Sequence, residues 1–579
     1  MHRSVRLRRW QKEALDLVDA HPGPDFLAGA TPGAGKTTFA LAAALRYLAL
    51  NPSHRLVVVA PTSHLKLQWT HAAARFGLHL EPSWSASSGR LPSDMHGIVV
   101  TYQQVAANPR ALRQHAERCL VVLDELHHAG DERAWGDAVR LAFQPAPRRL
   151  AISGTPFRSD THAIPFVEYH LDEALPDFEY GYDEALADRR VVRPVWFPRI
   201  NGFMEWTAPD GTATSASFDD ALDRQRSAHR LRTALSLEGE WLPTVLDQAN
   251  QRLMELRRSH PAAAGLVIAA DQDHARGIAR LLHQRHRVSA VVATSDDPAA
   301  STRIARFAEG TLPWIVAVRM VSEGVDIPRL RLGVFATTTT TELFFRQAVG
   351  RFVRHTGGTA ADERAWLFIP DDSRLRTWAA GIAERRRHSL ARPLRPEDEG
   401  HAEDAAALDE TKPGPDEQLS LFAVLSSQVL HSDTTTSVFD AVPAGLSDLI
   451  DDDDDGSIPV ELPAAPRPGA GRYGVPFADD LGGRPLAEVK RELRAANADL
   501  GLHLARFTGM SHREVNGRLN RLAGVERVTE ATLDQLRKRA DHAERWIGGL
   551  EATRVSGRGL RSPLRTWRGW PCASAWTWG

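Results

Sequence analysis

The sequence predicts an α/β protein in which two tandem parallel β-sheets, each flanked by helices, are followed by a disordered acidic linker and a small all-α domain. Residues 26–50, FLAGATPGAGKTTFALAAALRYLAL, pass from a short apolar strand through a glycine-rich turn to a long apolar helix. The same strand–turn–helix order restarts at residues 263–284, as a second α/β domain requires. Residues 484–547 are strongly helical and follow a stretch rich in Pro, Gly, Ala and Asp.

Length and composition predict a water-soluble protein of several domains. At about 150 residues per domain, the 579-residue chain has room for roughly three or four units. No apolar run approaches the ~20 residues of a membrane span, and the basic N-terminus lacks the apolar core of a signal peptide. Two cysteines, Cys119 and Cys572, give neither a disulfide framework nor a metal cluster. We therefore expect a cytoplasmic protein, associated with the nucleoid if its source is bacterial.

Charge is distributed unevenly along the chain. The formal net charge is -2, yet residues 397–480 are acidic, with an unbroken run from Asp451 to Asp455, and residues 484–568 carry many arginines. Any attraction to nucleic acid is therefore expected to be local. Lysine occurs only at positions 12, 36, 66, 412, 490 and 538, so a retained lysine suggests a specific role.

The glycine-rich turn has the sequence and context of a phosphate-binding loop. Its glycines allow backbone N–H groups to close around phosphate oxygens at the positive end of the following helix. Lys36 supplies a compact charge for the β- and γ-phosphates, and Thr37 is the expected Mg²⁺ ligand. Ala30 replaces the first glycine of the strict pattern, next to Gly29. The predicted nucleotide-binding residues here are Gly33, Gly35, Lys36, Thr37 and Thr38.

A second motif favours the phosphate loop over the competing interpretation, a glycine-rich turn without a ligand. In CLVVLDELHHAG (119–130), an apolar strand delivers Asp124 and Glu125 at its carboxyl end, where open α/β sheets bind ligands. Asp124 is expected to hold Mg²⁺ through water, and Glu125 to polarise the water that attacks the γ-phosphate. His127 and His128 are either ordinary loop residues or, for His127, a link between the nucleotide and the other domain.

These motifs resemble those of the superfamily 2 helicases and translocases of the DExH kind, whose order is matched across residues 5–370. LRRWQKEAL resembles the upstream adenine-reading element, with Gln11 as its glutamine. VVVAPTSHLKLQW resembles motif Ia, and VVTYQQV resembles the next motif that grips a nucleic-acid strand. The resemblance therefore implies nucleic-acid contacts near Pro61, Thr62 and Thr101.

AISGTPFR (151–158) resembles motif III of the same family, in which Ser153 and Thr155 would link the nucleotide state to domain movement. The motif set is most similar to the XPB-like, RadD-like and type III restriction motor-like branch, whose members usually act on DNA. The resemblance implies two RecA-like domains that use ATP and Mg²⁺.

The second half of the chain carries the partner motifs. WIVAVRMVSEGVDIPRLRLGVFA resembles motif V, centred on Gly324 and Asp326, and FFRQAVGRFVRHT resembles motif VI. On a helix, Gln347, Arg351 and Arg354 stand at i, i+4 and i+7 and share one face. We expect this face to meet the γ-phosphate held by the first domain, where an arginine finger is worth about 10³–10⁵ in rate. A surface helix with ion pairs is the competing interpretation, which the preceding motif V disfavours.

The function implied by the resemblance is that of an ATP-dependent DNA helicase or translocase, acting in DNA repair, replication or defence. An RNA helicase and a non-motor, ATP-gated scaffold or clamp remain alternatives, and the sequence leaves the oligomeric state open. The expected boundaries are 1–200 for the first RecA-like domain, 201–262 for a helical connector, 263–392 for the second RecA-like domain, 393–480 for the linker, 481–550 for the helical domain and 551–579 for an uninterpreted tail.

Within the predicted linker, QLSLF at residues 418–422 places apolar side chains in a solvated tether. It is similar to the pentapeptide by which bacterial proteins dock on the sliding clamp of replication. The docking residues would be Gln418, Leu419, Leu421 and Phe422. The overlapping LSLFAVLSSQVL also fits a short amphipathic helix that docks back on the motor domains, and both interpretations stay open.

The helical segment 484–547 has the character of a small bundle. A Gly–Met–Ser turn at residues 509–511, with the serine as a cap, suggests helix-turn-helix character. Arg513, Arg518 and Arg521 would then contact phosphates, and a solvated helix face is the alternative. The predicted core consists of Leu504, Phe507, Val515, Leu519 and Leu522.

Overall fold

The computed structural model describes residues 2–87, 90–126, 133–154, 164–170, 173–188, 191–207, 212–294, 296–297, 299–318, 327–355, 364–391, 423–433, 457–466, 481 and 484–555. The chain forms two compact units, residues 1–87 with 93–487 and residues 88–92 with 488–579.

The strands all belong to the first unit. They are β1 (His2–Arg8), β2 (Asp25–Ala30), β3 (Arg55–Ala60), β4 (Leu80–Glu81), β5 (Gly97–Thr101), β6 (Cys119–Asp124), β7 (Arg148–Ser153), β8 (Tyr169–His170), β9 (Glu173–Ala174), β10 (Phe178–Tyr180), β11 (Val195–Trp196), β12 (Arg199–Thr207), β13 (Ala213–Ser217), β14 (Ala264–Ala269), β15 (Ala290–Ala293), β16 (Trp314–Ala317), β17 (Leu330–Ala336), β18 (Ala365–Pro370), β19 (Ala423–Asp433) and β20 (Ser457–Pro463).

The helices of the first unit alternate with these strands. They are α1 (Arg9–Ala20), α2 (Lys36–Leu50), α3 (Ser63–Arg75), α4 (Tyr102–Ala107), α5 (Pro109–Ala116), α6 (Arg133–Phe143), α7 (Tyr182–Ala187), α8 (Arg224–Ala234), α9 (Trp241–Ser259), α10 (Gln272–His286), α11 (Ala300–Glu309), α12 (Glu342–Gly350) and α13 (Ser373–Ala391).

The first sheet has seven strands in the order β10-β2-β7-β6-β3-β5-β4, and neighbouring strands run parallel. Strands β3 and β6 are continuous apolar runs and are almost entirely buried, as expected when helices cover both faces of a parallel sheet. Because β7 lies between β2 and β6, the carboxyl ends of all three strands meet at one edge. The glycine-rich loop, Asp124 and the segment after β7 are therefore neighbours.

Within the described part of the chain, the second sheet has nine strands. Its main order is β13-β12-β18-β17-β14-β16-β15, with β11 beside β18 and β19 beside β12. Strands β14 to β18 run parallel, whereas β13 and β19 are antiparallel to β12. Two parallel sheets flanked by helices confirm the predicted fold class and its two RecA-like sheets.

The end of the predicted first domain and the predicted connector, residues 201–262, contribute strands to the second sheet. Strands β11, β12 and β13 all join it, and β12 alternates half-buried and buried residues along its length. Trp196 and Trp206 of these strands are buried core residues. The helices of the predicted connector are α8 and α9. The domain boundaries drawn from the sequence remain predictions.

Two strands lie within the stretch predicted as a disordered linker. β19 pairs antiparallel with β12, and β20 pairs antiparallel with β1 along its whole length. In β20, Val460 and Leu462 are buried at alternate positions, the pattern of a strand with one covered face. The helix alternative is wrong from Ala423 onward, because pairing with the long strand β12 outweighs the helical periodicity. Residues 418–422 lie outside the described residues, and clamp docking stays a prediction.

His96 connects the first sheet to the segment that follows β20. Its side chain is 4% exposed, its Nδ1 accepts a hydrogen bond from the His79 backbone N–H at 2.9 Å, and its Nε2 lies 2.9 Å from the Pro466 carbonyl oxygen. A carbonyl only accepts, so Nε2 carries the proton and the ring is neutral. Burial, and then the neighbouring His79, lowers the pKa of His96 to about 3.

This histidine is expected to make the protein less stable as the pH falls. In the unfolded chain it binds a proton near its ordinary pKa of about 6.5, whereas the folded protein binds that proton only near pH 3. Between these values the free energy of unfolding should drop by up to about 1.4 kcal/mol per pH unit. Chemical denaturation from about pH 7 to about pH 5 should therefore show a flatter pH dependence in His96→Asn than in wild type. The same change at exposed His503 is the control, and equal slopes in all three proteins would contradict the assignment.

The second unit is a helical bundle made of α14 (Leu486–Thr508), α15 (His512–Ala523), a 3-10 turn (Val528–Glu530) and α16 (Leu533–Val555). Leu504, Val515 and Leu519 are buried in its core, and Phe507 is half-buried. The prediction of Leu522 as a core residue is wrong: its side chain is 53% exposed. The buried face of α15 runs instead through Val515, Leu519 and Ala523. Within the described ranges, no helix has the length and apolar character needed to span a membrane.

Candidate active site

The glycine-rich loop joins β2 to α2 at the carboxyl edge of the first sheet. Gly33 and Gly35 have φ values of 84° and 95°, in the left-handed region that favours glycine. Helix α2 then begins at Lys36, so Thr37 and Thr38 lie in its first turn. The loop therefore ends at a helix N-terminus, the arrangement that binds phosphate through backbone N–H groups and the helix dipole.

Lys36 and Glu125 form an ion pair at this edge. Lys36 Nζ lies 3.0 Å from Glu125 Oε1 and donates to the Ala30 carbonyl at 3.1 Å. Glu125 Oε2 accepts a hydrogen bond from the Gly154 backbone N–H at 3.0 Å. Glu125 has a φ of 48°, and a non-glycine residue in this region stores about 1–3 kcal/mol of strain. Three separate segments therefore fix the carboxylate beside the ammonium group.

Asp124 is oriented by two aromatic residues. Its Oδ2 accepts a hydrogen bond from Trp69 Nε1 at 2.8 Å, and its backbone carbonyl accepts one from the Tyr102 hydroxyl at 3.0 Å. Burial, followed by the charges of Asp124 and Glu125, raises the pKa of Tyr102 well above its usual value. Tyr102 is therefore a neutral donor at any physiological pH. Sequence reasoning missed both aromatic roles, although Trp69 and Tyr102 belong to the two quoted strand-gripping motifs.

Side chains of the segment from β1 to α1 donate hydrogen bonds to carbonyl groups of the glycine-rich loop. Arg8 donates to the carbonyls of Gly33 and Ala34 at 3.1 Å and 2.8 Å, and Trp10 Nε1 also donates to Ala34 at 3.1 Å. Gln11 Nε2 donates to the Gly35 carbonyl at 2.9 Å, and its Oε1 accepts from the Arg8 backbone N–H at 2.8 Å. In this structure the Gln11 amide thus positions the loop. Arg8 and Trp10 belong to the motif LRRWQKEAL, which was the only sequence feature that could have predicted their contacts with the loop.

Motif VI differs from its predicted helical geometry. Helix α12 ends at Gly350, with Gln347 inside it and Arg351 as its C-cap residue, so Arg354 lies beyond the helix. The prediction that Gln347, Arg351 and Arg354 share one helix face is therefore wrong. Arg354 is positioned instead by an isolated antiparallel bridge to Val192. Tertiary pairing with the segment before β11 ends the helix earlier than its periodicity suggests.

The end of α12 lies directly against the glycine-rich loop. A Cβ atom on Gly350 would come within 2.6 Å of Pro32 Cγ, so only glycine permits this approach without displacement. A Cβ atom on Gly33 would lie 3.2 Å from Arg354 Cγ. Burial lowers the pKa of Arg354 to about 10, which leaves the guanidinium charged at neutral pH. The side chain of an arginine that follows α12 thus lies against the glycine-rich loop of the first sheet.

A cavity of about 80 Å³ lies between the loop and α12. Its walls include Ala30 from the end of β2, Pro32 from the loop, Gly154 directly after β7, and Arg346 and Val353 from motif VI. The two sheets therefore share a pocket. Gly324, Asp326, Thr155, His127 and His128 lie outside the described residues. Over the residues that are described, His, Cys, Asp and Glu form no group of three or more suited to hold a metal ion.

The predicted nucleic-acid contacts lie at the carboxyl ends of β3 and β5. The Thr62 hydroxyl accepts a hydrogen bond from the Leu65 backbone N–H at 3.4 Å and caps α3, after Pro61. The Thr101 hydroxyl accepts one from the Gln104 backbone N–H at 3.2 Å and caps α4. Both threonines thus have a capping role in the fold.

Two protein-family models match the chain. Residues 4–158 match the model described as type III restriction enzyme, res subunit, and residues 248–356 match the model described as helicase conserved C-terminal domain. The first region contains Lys36, Asp124 and Glu125, and the second contains Gln347 and Arg354. The first region also contains the pocket residues Pro32 and Gly154, and the second contains Arg346 and Val353, so the two matches cover both sides of the pocket.

Proteins similar in sequence to this chain occur in mycobacteria. The uncharacterized protein ML1624 of Mycobacterium leprae is 39% identical over 562 residues, covering 92% of this chain and 93% of that protein. The uncharacterized protein Rv2917 of Mycobacterium tuberculosis is 45% identical over 395 residues, covering 67% of this chain and 65% of that protein.

Similar solved structures include restriction enzymes. A fragment of a putative HsdR subunit of a type I restriction enzyme from Vibrio vulnificus matches with a TM-score of 0.45 and 17% identity, over 64% of this chain and 65% of that one. The type ISP restriction-modification enzyme LlaBIII, bound to DNA, matches with a TM-score of 0.45 and 15% identity, over 67% of this chain and 30% of that one.

Proposed function

Because this chain belongs to the superfamily 2 helicases and translocases, we propose that it couples ATP hydrolysis to movement along DNA. The observation that carries the proposal is the meeting of two sets of groups at one loop. Lys36 and Glu125 come from the first sheet, and Arg354 approaches from the second. If hydrolysis requires groups from both sheets, a change in the bound nucleotide can move one sheet relative to the other.

The first sheet binds the triphosphate of ATP and activates water. Backbone N–H groups of the glycine-rich loop and the Lys36 ammonium take the phosphates, and Glu125 polarises the attacking water. Oxygen ligands of the kind that Mg²⁺ prefers are offered by the Thr37 hydroxyl and the Asp124 carboxylate. When bound there, Mg²⁺ neutralises charge on the β- and γ-phosphate oxygens. Further nucleotide contacts are proposed for Gln11, Gly33, Gly35, Thr38, Gly324 and Asp326.

The second sheet supplies the positive charge that the transition state requires. Arg354, which lies against Gly33, is proposed as the arginine finger, with Arg351 and Gln347 as its companions. Loss of the γ-phosphate removes the anion that holds these groups to the loop, so the sheets part. Alternating closure and opening would then advance a strand held near Pro61, Thr62 and Thr101.

DNA is the proposed track. The match of residues 4–158 to the res subunit of type III restriction enzymes supports it, because restriction is the cleavage of DNA. The experiment is an ATPase assay of the intact protein with single-stranded, duplex and forked DNA and with RNA of equal length. We expect at least one form of DNA to stimulate turnover more than RNA does. Stronger stimulation by RNA would make the protein an RNA helicase, and turnover indifferent to every nucleic acid would favour an ATP-gated scaffold.

A further inference from the structure

Helix α15 of the second unit exposes an arginine face, which consists of Arg513, Arg518 and Arg521 around Gly517. The opposite side of α15 is buried in the bundle through Val515, Leu519 and Ala523. This division leaves the arginine face turned away from the core.

The neighbouring helices fix the orientation of α15. Arg539 of α16 is 1% exposed and donates to the side chains of Asn520 on α15 and Asn497 on α14, each at 2.9 Å. These bonds involve Arg539 and two asparagines, none of which belongs to the arginine face. The bundle therefore presents this face on a supported helix.

The charges of the arginine face are not neutralised by carboxylates in the part of the chain that the structure describes. Arg521 Nε donates to the Gly517 carbonyl at 3.3 Å, and Arg518 lies over the Trp546 ring at 4.7 Å. The nearby Glu514 carboxylate accepts hydrogen bonds from the Ser511 backbone N–H and hydroxyl at 2.9 Å and 2.7 Å, which lowers its pKa and turns it toward the helix start. Arg276, which is also exposed, by contrast pairs with Asp273 at 2.9 Å.

Packing does not require the glycine in the middle of this face. A Cβ atom on Gly517 would meet no heavy atom within 4 Å, although glycine inside a helix costs about 1 kcal/mol relative to alanine. Glycine at an open position permits the close approach of a ligand to the backbone. Around it lies a groove of about 470 Å³, lined by Met510, Arg513, Glu514, Gly517, Arg518 and Arg521.

The turn before α15 places the face on the second helix of a helix-turn-helix. Helix α14 ends at Thr508, Gly509 has a φ of 72°, and the Ser511 hydroxyl caps α15 by accepting from the Glu514 backbone N–H at 3.3 Å. Exposed arginines on such a helix match the spaced negative charge of a nucleic-acid backbone. We propose that the arginine face binds the phosphates of duplex DNA, as a grip separate from the ATP-driven sheets. This inference rests on the proposed motor function and names a second place where the chain holds its track.

The test compares two double variants of the full-length protein, Arg518→Ala/Arg521→Ala and the control Arg491→Ala/Arg537→Ala, which removes two exposed charges elsewhere on the same unit. The affinity for a short DNA duplex is measured by fluorescence anisotropy without nucleotide, over a series of salt concentrations. Removal of each arginine–phosphate interaction should weaken binding about tenfold near 0.1 M salt and reduce the slope of log K against log salt by about 1, so the loss of two should weaken binding up to about a hundredfold and reduce the slope by about 2. We expect this weakening only in the Arg518/Arg521 variant, with the Arg491/Arg537 control at wild-type affinity and salt slope.

A single substitution that should leave the fold intact provides a second test. Gly517→Glu should not lower the melting temperature, because Glu is a better helix former than Gly, yet it places a carboxylate among the arginines. We expect it to weaken duplex binding about tenfold, less than the double variant does, because it changes the charge of the face by one unit rather than two. Wild-type affinity and salt slope in both Gly517→Glu and the Arg518/Arg521 variant would overturn the inference. Failure of the motor proposal would look different, since DNA would then stimulate turnover in no variant while the affinity difference would persist.

Discussion

Glu125→Gln is expected to reduce DNA-stimulated ATP turnover by about 10²–10⁴-fold, the range for loss of a general base. The amide keeps the size of the side chain and an oxygen that accepts from the Gly154 N–H, so the loop should retain its shape. It has no negative charge with which to polarise water or to pair with Lys36. Steady-state phosphate release measures turnover, and fluorescent-nucleotide titration should show binding retained within a few-fold.

Glu255→Gln is the matched control for this variant. Glu255 lies on α9 in a half-exposed ion pair with Arg252 at 3.0 Å, far along the chain from the loop. Its amide variant should keep wild-type turnover, because solvent-screened pairs of this kind contribute little to stability. Undiminished turnover in Glu125→Gln would remove Glu125 from the catalytic role assigned to it.

Arg354→Ala is expected to reduce turnover by about 10³-fold or more, the effect of losing an arginine finger. The guanidinium is charged at neutral pH despite its lowered pKa, and its side chain lies against Gly33 of the phosphate loop. Arg354→Lys keeps a charge without the planar fork and should recover only part of the loss. Nucleotide affinity should change far less than turnover, because the charge acts mainly on the transition state.

Arg285→Ala serves as the control for Arg354. Arg285 is an exposed residue of the second sheet's α10, where its Nε donates to Asp247 at 2.9 Å. Its removal should leave turnover intact. If Arg354→Ala hydrolyses ATP at the wild-type rate with DNA present, the second sheet does not contribute the proposed cation.

The parts of the site that local sequence encodes were predictable. The loop residues Gly33, Gly35 and Lys36 are adjacent in the chain, and Asp124 and Glu125 follow one buried strand. Apolar runs and glycine-rich turns at these places reflect the geometry that a parallel sheet and a phosphate loop demand. The two parallel sheets followed from the same signals.

The parts that depend on distant segments were not predictable. Trp69 lies on the helix after β3 and contacts Asp124 at the end of the neighbouring strand β6, 55 residues later, and nothing near either residue in the sequence indicates that contact. Arg354 takes its position from Val192, so helical periodicity placed it wrongly. β19 and β20 lie in a stretch whose composition suggests a linker. They are strands because each pairs through backbone hydrogen bonds with a distant strand, β19 with β12 and β20 with β1.

The central claim is that groups from both sheets act on one nucleotide. The most direct measurement is the DNA-stimulated turnover of Glu125→Gln, Arg354→Ala and the double variant at saturating ATP. Residues that act as one unit show non-additive effects, so the double variant should be within about threefold of the slower single variant. A double variant whose loss is the product of the two single losses would show independent roles and contradict a shared pocket.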